Sequence, residues 1–133
     1  PGKEKKGARP NILLIVVDDM GYSDIAPFGG EIRTPAVNKL AAEGVSIANF
    51  YTAPTCSPTR SMLLSGNDNH VAGQGSMIEL LGNYTNLKGK PGYEGYLNDA
   101  VVPLPLLLKQ NGYHTFISGK WHLGSKKGLL PVD

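Results

Sequence analysis

The sequence contains a single cysteine, which excludes an internal disulfide and leaves the redox compartment open. It also lacks a long apolar run. The longest, Ile12–Val17, is far too short to cross a bilayer, and we predict no membrane span. Neither sign of charge is in large excess, because 13 basic residues stand against 11 acidic ones. This balance argues against nucleic acid or an anionic membrane as a partner.

Residues 1–10, PGKEKKGARP, carry much of the positive charge, and we expect them to form a solvated arm before a domain at 11–133. The length suits one ordinary domain, and a hydrophobic content of 41% suits a packed core. No signal peptide is visible, because no long apolar region follows the basic start. The compartment stays open: periplasmic or secreted if a signal peptide has been removed, and cytoplasmic otherwise.

Three segments have the composition of β-strands, namely Ile12–Val17, Val45–Tyr51 and Tyr113–Ser118. The first is apolar throughout, which is the pattern of a strand buried on both faces of a parallel sheet. Helical start and stop signals lie between them, and they predict helices from Pro35 to Gly44, Pro58 to Gly66, Ser76 to Leu81 and Val102 to Gln110. Because strands alternate with helices, we predict an α/β fold with a mostly parallel sheet flanked by helices.

Asp18 and Asp19 follow the first predicted strand directly. Aspartate favours turns, so the commoner meaning of such a pair is a strand end. Adjacent carboxylates at a sheet edge can also supply oxygen ligands to Ca²⁺ or Mg²⁺. Ligands of open α/β sheets bind beyond the carboxyl ends of the strands, which keeps the metal site as an alternative.

Cys56 precedes a proline that is expected to start a helix, and Arg60 lies four residues further on. A free cysteine is most often a buried apolar residue. The neighbours of this one are polar, however, and a helix start favours an anion. Arg60 would share a helix face with Cys56 and could hold a carboxylate or a tetrahedral oxyanion. The pattern fits a cysteine nucleophile or a phosphate-binding turn.

Lys120 and His122 follow the last predicted strand. In an extended chain, residues two apart point to the same side, and Trp121 would point to the other, into the core. One interpretation is an exposed strand end with a lysine that reaches solvent. The other is a cation and a proton donor or acceptor that face one anion.

Several segments carry a resemblance to a known family. CSPTRSMLLSG resembles the sulfatase signature Cys-x-Pro-x-Arg with its helical tail, and GYHTFISGKWHLG resembles the family's Gly-Lys-Trp-His-Leu-Gly segment. PNILLIVVDDMGYSDI is similar to the strand that opens the sulfatase fold, and GKPGYEG is similar to the bacterial arylsulfatase branch. The resemblance covers Pro10 to Gly124 and implies the amino-terminal part of a catalytic domain of the alkaline-phosphatase-like superfamily.

The resemblance implies a hydrolase of sulfate esters, aryl sulfates above all. Cys56 would be oxidised to formylglycine by a formylglycine-generating or sulfatase-maturing enzyme, and the hydrated aldehyde would be the nucleophile. The substrate would be a small-molecule or glycan sulfate ester. The residues that the resemblance assigns to catalysis are Cys56, Arg60, Lys120 and His122. Those that it assigns to a Ca²⁺ ion, with Mg²⁺ or Mn²⁺ as alternatives, are Asp18, Asp19 and Cys56.

Other functions stay open beside this one. A phosphonate or phosphodiester hydrolase can carry a similar cysteine motif, and a non-catalytic fragment could bind metal or a partner. A cysteine hydrolase is less well supported, because no asparagine or aspartate partner for His122 is evident. Family members are several times longer and supply further metal ligands and leaving-group residues from later sequence. We therefore expect the isolated 133 residues to be an incomplete, inactive fragment.

Overall fold

The computed structural model of the protein describes residues 9–126 and 128–131. The chain divides into two compact units, one ending at Ala48 and the other beginning at Asn49. The solvated arm predicted at residues 1–10 lies outside the described residues except for Arg9 and Pro10, which are exposed.

The first unit contains two short 3₁₀ turns, Tyr22–Asp24 and Ala26–Phe28, and the helix α1, Pro35–Glu43. The predicted start and end of α1 are confirmed. Pro35 is its first residue, and Gly44 is its C-cap, whose N–H donates to the Leu40 carbonyl at 2.9 Å. Thr34 is the N-cap residue but does not cap the helix with its side chain. Its hydroxyl instead accepts the Ala26 N–H at 3.2 Å and so ties the second turn to α1.

The strand predictions are wrong for the part of the chain that the structure describes, which contains no β-strand. Ile12–Val17, Val45–Tyr51 and Tyr113–Ser118 have no regular hydrogen-bonded structure. The first is also not buried, since its side chains are exposed by between 40% for Val16 and 84% for Leu13. A strand forms only where another strand pairs with it, and these segments have no such partner within residues 9–126 and 128–131.

The second unit contains the helices α2 (Cys56–Ser65), α3 (Ile78–Leu81) and α4 (Leu104–Gln110). The helices α3 and α4 lie within the predicted segments and are two residues shorter at their starts. The buried apolar side chains of the described residues all lie in this unit: Ala72, Leu81, Val101 and Leu123. Within the described residues, every helix is too short or too polar to span a bilayer.

The face that α2 buries carries small side chains, two serines and a proline: Ser57, Pro58 and Ser61. The Ser61 hydroxyl donates to the Pro58 carbonyl at 2.7 Å, so this buried group is paired within the helix. Small side chains let neighbouring backbone approach the helix closely, and α2 packs against α4.

The long glycine-rich segment between α2 and α4 folds on itself through backbone hydrogen bonds. The Gly75 N–H donates to Gly92 at 2.7 Å, and the Gly95 N–H donates to Gly73 at 2.9 Å. The Leu97 N–H then donates to the buried Leu123 at 2.9 Å. This hydrogen bond ties the loop to the segment after Gly119, and that segment carries the predicted site residues Lys120 and His122.

Candidate active site

Cys56 is the first residue of α2, and Thr55 is its N-cap. The predicted start at Pro58 is therefore two residues late, and Cys56 lies within the first turn rather than just before it. The Thr59 hydroxyl donates to the Ala53 carbonyl at 2.8 Å and fixes the entry of the chain. Cys56 is half-buried at the positive end of the helix dipole, where an anionic group is stabilised.

Arg60 joins α2 to the segment of Lys120 and His122. Its Nη1 donates to the Lys120 carbonyl at 2.8 Å, across 60 residues of sequence. A guanidinium carries five donors in a fixed plane, a geometry that suits carbonyl, carboxylate and sulfate oxygens alike. The structure thus brings together the helix that begins with Cys56 and the second predicted cluster.

The sequence predicts that Lys120 and His122 point to the same side of an extended chain, and this prediction is wrong. Residues 120–122 do not form a strand, and His122 has a left-handed φ of 60°. Trp121 is only half-buried, and its Nε1 donates to the Leu129 carbonyl at 2.9 Å. Backbone strain of this kind persists where surrounding contacts hold it, and it concentrates at functional sites.

Lys120 and His122 both lie near Glu79, a residue of α3 that the sequence analysis missed. The Nε2 of His122 lies 3.0 Å from Glu79 Oε1 and 3.2 Å from Oε2. The Glu79 backbone N–H, the hydrogen bond from His122 and the charges of His122 and Lys120 hold the pKa of the Glu79 carboxyl below its ordinary value of 4.5, against the opposing effect of burial. Its separation of 43 residues from His122 leaves no spacing pattern that could have revealed the contact.

Two polar atoms near the predicted catalytic residues are buried and make no hydrogen bond within the described part of the chain. They are the Oγ of Ser57, next to Cys56, and the Nδ1 of His122. A buried polar atom without a partner is costly in a folded protein, by about 1–3 kcal/mol. Such atoms are expected where a ligand or water supplies the missing contact.

Asp18 and Asp19 lie in the first unit, at an exposed turn that follows Val17. Asp19 has a left-handed φ of 56°, which aspartate tolerates better than most residues. The chain therefore departs from strand geometry at Asp18 and Asp19. Ca²⁺ and Mg²⁺ are hard cations that prefer oxygen ligands, so two adjacent carboxylates fit either ion. That they and Cys56 bind a metal stays a prediction.

His70 has partners that the sequence did not reveal. Its backbone N–H donates to Asp68 Oδ1 at 2.9 Å, and its ring lies 3.2 Å from the same oxygen. The Tyr93 hydroxyl is 3.3 Å from His70 Nε2, and the two rings meet edge to face. These contacts brace the glycine-rich loop. His114 is exposed.

Comparison with known proteins gives a consistent result. A family model described as Sulfatase matches residues 10–128. An uncharacterized sulfatase of Schizosaccharomyces pombe is 58% identical over 97% of this chain and 24% of its own length. An arylsulfatase of Klebsiella aerogenes is 48% identical over 94% of this chain and 26% of its own. The human N-acetylgalactosamine-6-sulfatase is 38% identical over 92% of this chain and 23% of its own.

The chain thus spans about a quarter of the length of these relatives. The family match covers both clusters of the second unit and the aspartate pair of the first. On this match the chain belongs to the sulfatase family.

Proposed function

We propose that the full-length protein hydrolyses sulfate esters, with residue 56 as the nucleophile. The observation that carries the proposal is the hydrogen bond from Arg60 to the Lys120 carbonyl. It joins the helix start that bears Cys56 to the segment that bears a cation and a histidine. An ester sulfate is anionic and gains charge on its leaving oxygen during cleavage, and such a cluster of donors suits it.

The residues of the second unit have distinct roles in this proposal. The Arg60 guanidinium would hold the nucleophile and a sulfate oxygen, and the Lys120 ammonium would bind another sulfate oxygen. His122 would exchange a proton with the nucleophile. Formylglycine at position 56, when present, would supply one hydroxyl for attack on sulfur and a second for release of the sulfate.

Asp18 and Asp19 would bind a divalent cation, for which Ca²⁺ suits their carboxylate chemistry. A bound cation supplies charge neutralisation for the sulfate group. Cys56 would be made into formylglycine by a maturation enzyme that recognises the Cys-Ser-Pro-Thr-Arg sequence.

The proposal extends to the fold. In the full-length protein, the exposed apolar run Ile12–Val17 would pair with other strands in a mostly parallel sheet, and helices on both faces of that sheet would cover its side chains. That sheet would place Asp18 and Asp19 at a carboxyl edge, where α/β folds bind ligands.

The test uses the full-length protein expressed with a sulfatase-maturing enzyme, and Cys56→Ala as the matched control. We expect an aldehyde in place of the Cys56 thiol by mass spectrometry, and turnover of an aryl sulfate that the control lacks. The same preparation is assayed on an aryl phosphodiester. Faster cleavage of the phosphodiester would replace the sulfatase proposal with the phosphodiesterase alternative, and no hydrolysis of either ester by aldehyde-containing protein would refute it.

A further inference from the structure

The contact between Glu79 and His122 needs an explanation, because it places a carboxylate beside groups expected to bind an anion. The carboxylate lies 3.0 Å from the histidine Nε2, and the Lys120 charge lowers its pKa. A negative charge at this position repels a sulfate ester and so weakens binding of the substrate. A benefit in a later step would explain why it is there.

The hydrogen-bonding pattern of the ring indicates that benefit. Both Glu79 oxygens lie within hydrogen-bond distance of Nε2, at 3.0 and 3.2 Å, and a carboxylate can only accept. Nε2 therefore carries a proton whether the ring is neutral or charged. The other nitrogen, Nδ1, is buried and makes no hydrogen bond within the described residues.

The surrounding structure holds this ring in one orientation. His122 has the left-handed φ of 60°, and Leu123, which follows it, is fully buried and accepts the Leu97 N–H. The imidazole side chain is 20% exposed, whereas the carboxylate side chain of Glu79 is 59% exposed. The histidine is thus the constrained partner, and the carboxylate approaches it from the solvent side.

We propose that Glu79 is a positioning residue that keeps the proton of neutral His122 on Nε2 and leaves Nδ1 as the nitrogen that exchanges a proton with the nucleophile at residue 56. The inference rests on the proposed function. When the hydroxyl gives up its proton, its O–H bond breaks and an N–H bond forms at Nδ1. The resulting imidazolium keeps its Nε2–H directed at Glu79, whose negative charge stabilises it. Glu79 itself is not protonated at any point.

The direct test measures the tautomer of His122 in the full-length protein. With ¹⁵N-labelled histidine, and at a pH where the ring is neutral, we expect a protonated Nε2 and an unprotonated Nδ1 in the wild type. Glu79→Ala should move a large share of the proton to Nδ1. Glu79→Gln should restore the wild-type pattern, since the amide oxygen still accepts. Glu43→Ala is the matched control, because Glu43 is a similarly exposed carboxylate in an ion pair with Lys39.

Kinetics on an aryl sulfate give the second readout. We expect Glu79→Ala to lower kcat on the order of tenfold to a hundredfold, the effect typical of losing a carboxylate that orients a metal-binding histidine. KM should stay the same or fall, because the repulsion of the substrate is removed. Glu79→Gln should recover part of kcat, and Glu43→Ala should match the wild type.

The two readouts separate failure of this inference from failure of the proposed function. A wild-type tautomer in Glu79→Ala overturns the positioning role, whatever the activity. So does an unchanged kcat in an active enzyme. If the wild type cleaves no sulfate ester, the proposed function fails, and the tautomer alone decides whether Glu79 positions His122. If Glu79→Ala does not fold, Glu79→Asp takes its place: its shorter side chain cannot reach Nε2 in the same way, and an unchanged tautomer and kcat there overturn the inference.

Discussion

Replacing Arg60 by lysine tests whether the fixed geometry of the guanidinium matters beyond its charge. In the structure, one nitrogen of Arg60 donates to the Lys120 carbonyl at 2.8 Å. An ammonium group has a single nitrogen and no planar fork, so lysine cannot hold that carbonyl and also present parallel donors to a sulfate. Charge is kept in Arg60→Lys, and the change therefore isolates geometry.

The expected magnitude follows from the number of contacts at stake. Loss of one charge-assisted donor from a transition-state site costs about 2–4 kcal/mol, which is roughly a hundredfold or more in kcat. Arg60→Lys would also lose the hydrogen bond to the Lys120 carbonyl. A hydrogen bond that involves a charged group contributes about 1.5–3 kcal/mol to local stability. We expect turnover of an aryl sulfate by the full-length Arg60→Lys protein to fall by at least a hundredfold.

The assay needs a check on maturation, because Arg60 also belongs to the sequence that a maturation enzyme would recognise. The aldehyde content of residue 56 is measured in each preparation, and rates are expressed per aldehyde. Arg33→Lys, an exposed arginine of the first unit, is the matched control and should be neutral. Near-normal turnover per aldehyde in Arg60→Lys would refute the catalytic role and leave Arg60 as a maturation signal.

Three further predictions concern other parts of the chain. Asp19→Asn should lower both the Ca²⁺ content and the activity of the full-length protein, because asparagine lacks the charge. Its melting temperature should change little, because asparagine tolerates the left-handed φ of 56°. Unchanged metal content by elemental analysis would mean that Asp18 and Asp19 form a turn only. The His70 backbone N–H, and after it the His70 ring, hold the pKa of the Asp68 carboxyl below its ordinary value of 3.8. The stabilisation is therefore present above the unfolded-state pKa and is lost as the pH falls through the folded-state value. A carboxyl NMR titration should show this lowered value, and His70→Ala, which keeps the backbone N–H, should raise it only in part; equal midpoints in both proteins would contradict the contribution of the ring. Gly73→Ala should destabilise the protein strongly, because its Cβ would lie 2.6 Å from a backbone carbonyl oxygen at a φ of +83°. Gly89→Ala, at a φ of +76° with no atom within 4 Å of the added Cβ, should show only the cost of the left-handed backbone, about 1–2 kcal/mol. Similar melting temperatures for the two variants would refute the packing argument.

The sequence by itself determined the features that depend on near neighbours. The start of α1 at Pro35 and its end before Gly44 follow from local backbone preferences, and both are confirmed. The sequence around Cys56 is a continuous run on one helix, so Cys56 and Arg60 share a short stretch of α2 without help from the rest of the fold. The family could be recognised for the same reason, since its signature is contiguous.

Features that depend on distant partners could not be predicted in this way. The apolar run Ile12–Val17 predicts a buried strand, yet a strand exists only through pairing and burial, and neither is present among the described residues. The period-two argument for Lys120 and His122 failed because His122 adopts a left-handed backbone.

The tertiary structure alone decided which groups meet at the candidate site. Arg60 reaches the Lys120 carbonyl across 60 residues, and Glu79 reaches His122 across 43. No periodicity of a helix or strand links residues at such separations, because these contacts arise when a folded loop brings two segments together. The loop does so through backbone hydrogen bonds such as that between Leu97 and Leu123, which depend on close approach of the chain rather than on side-chain pattern.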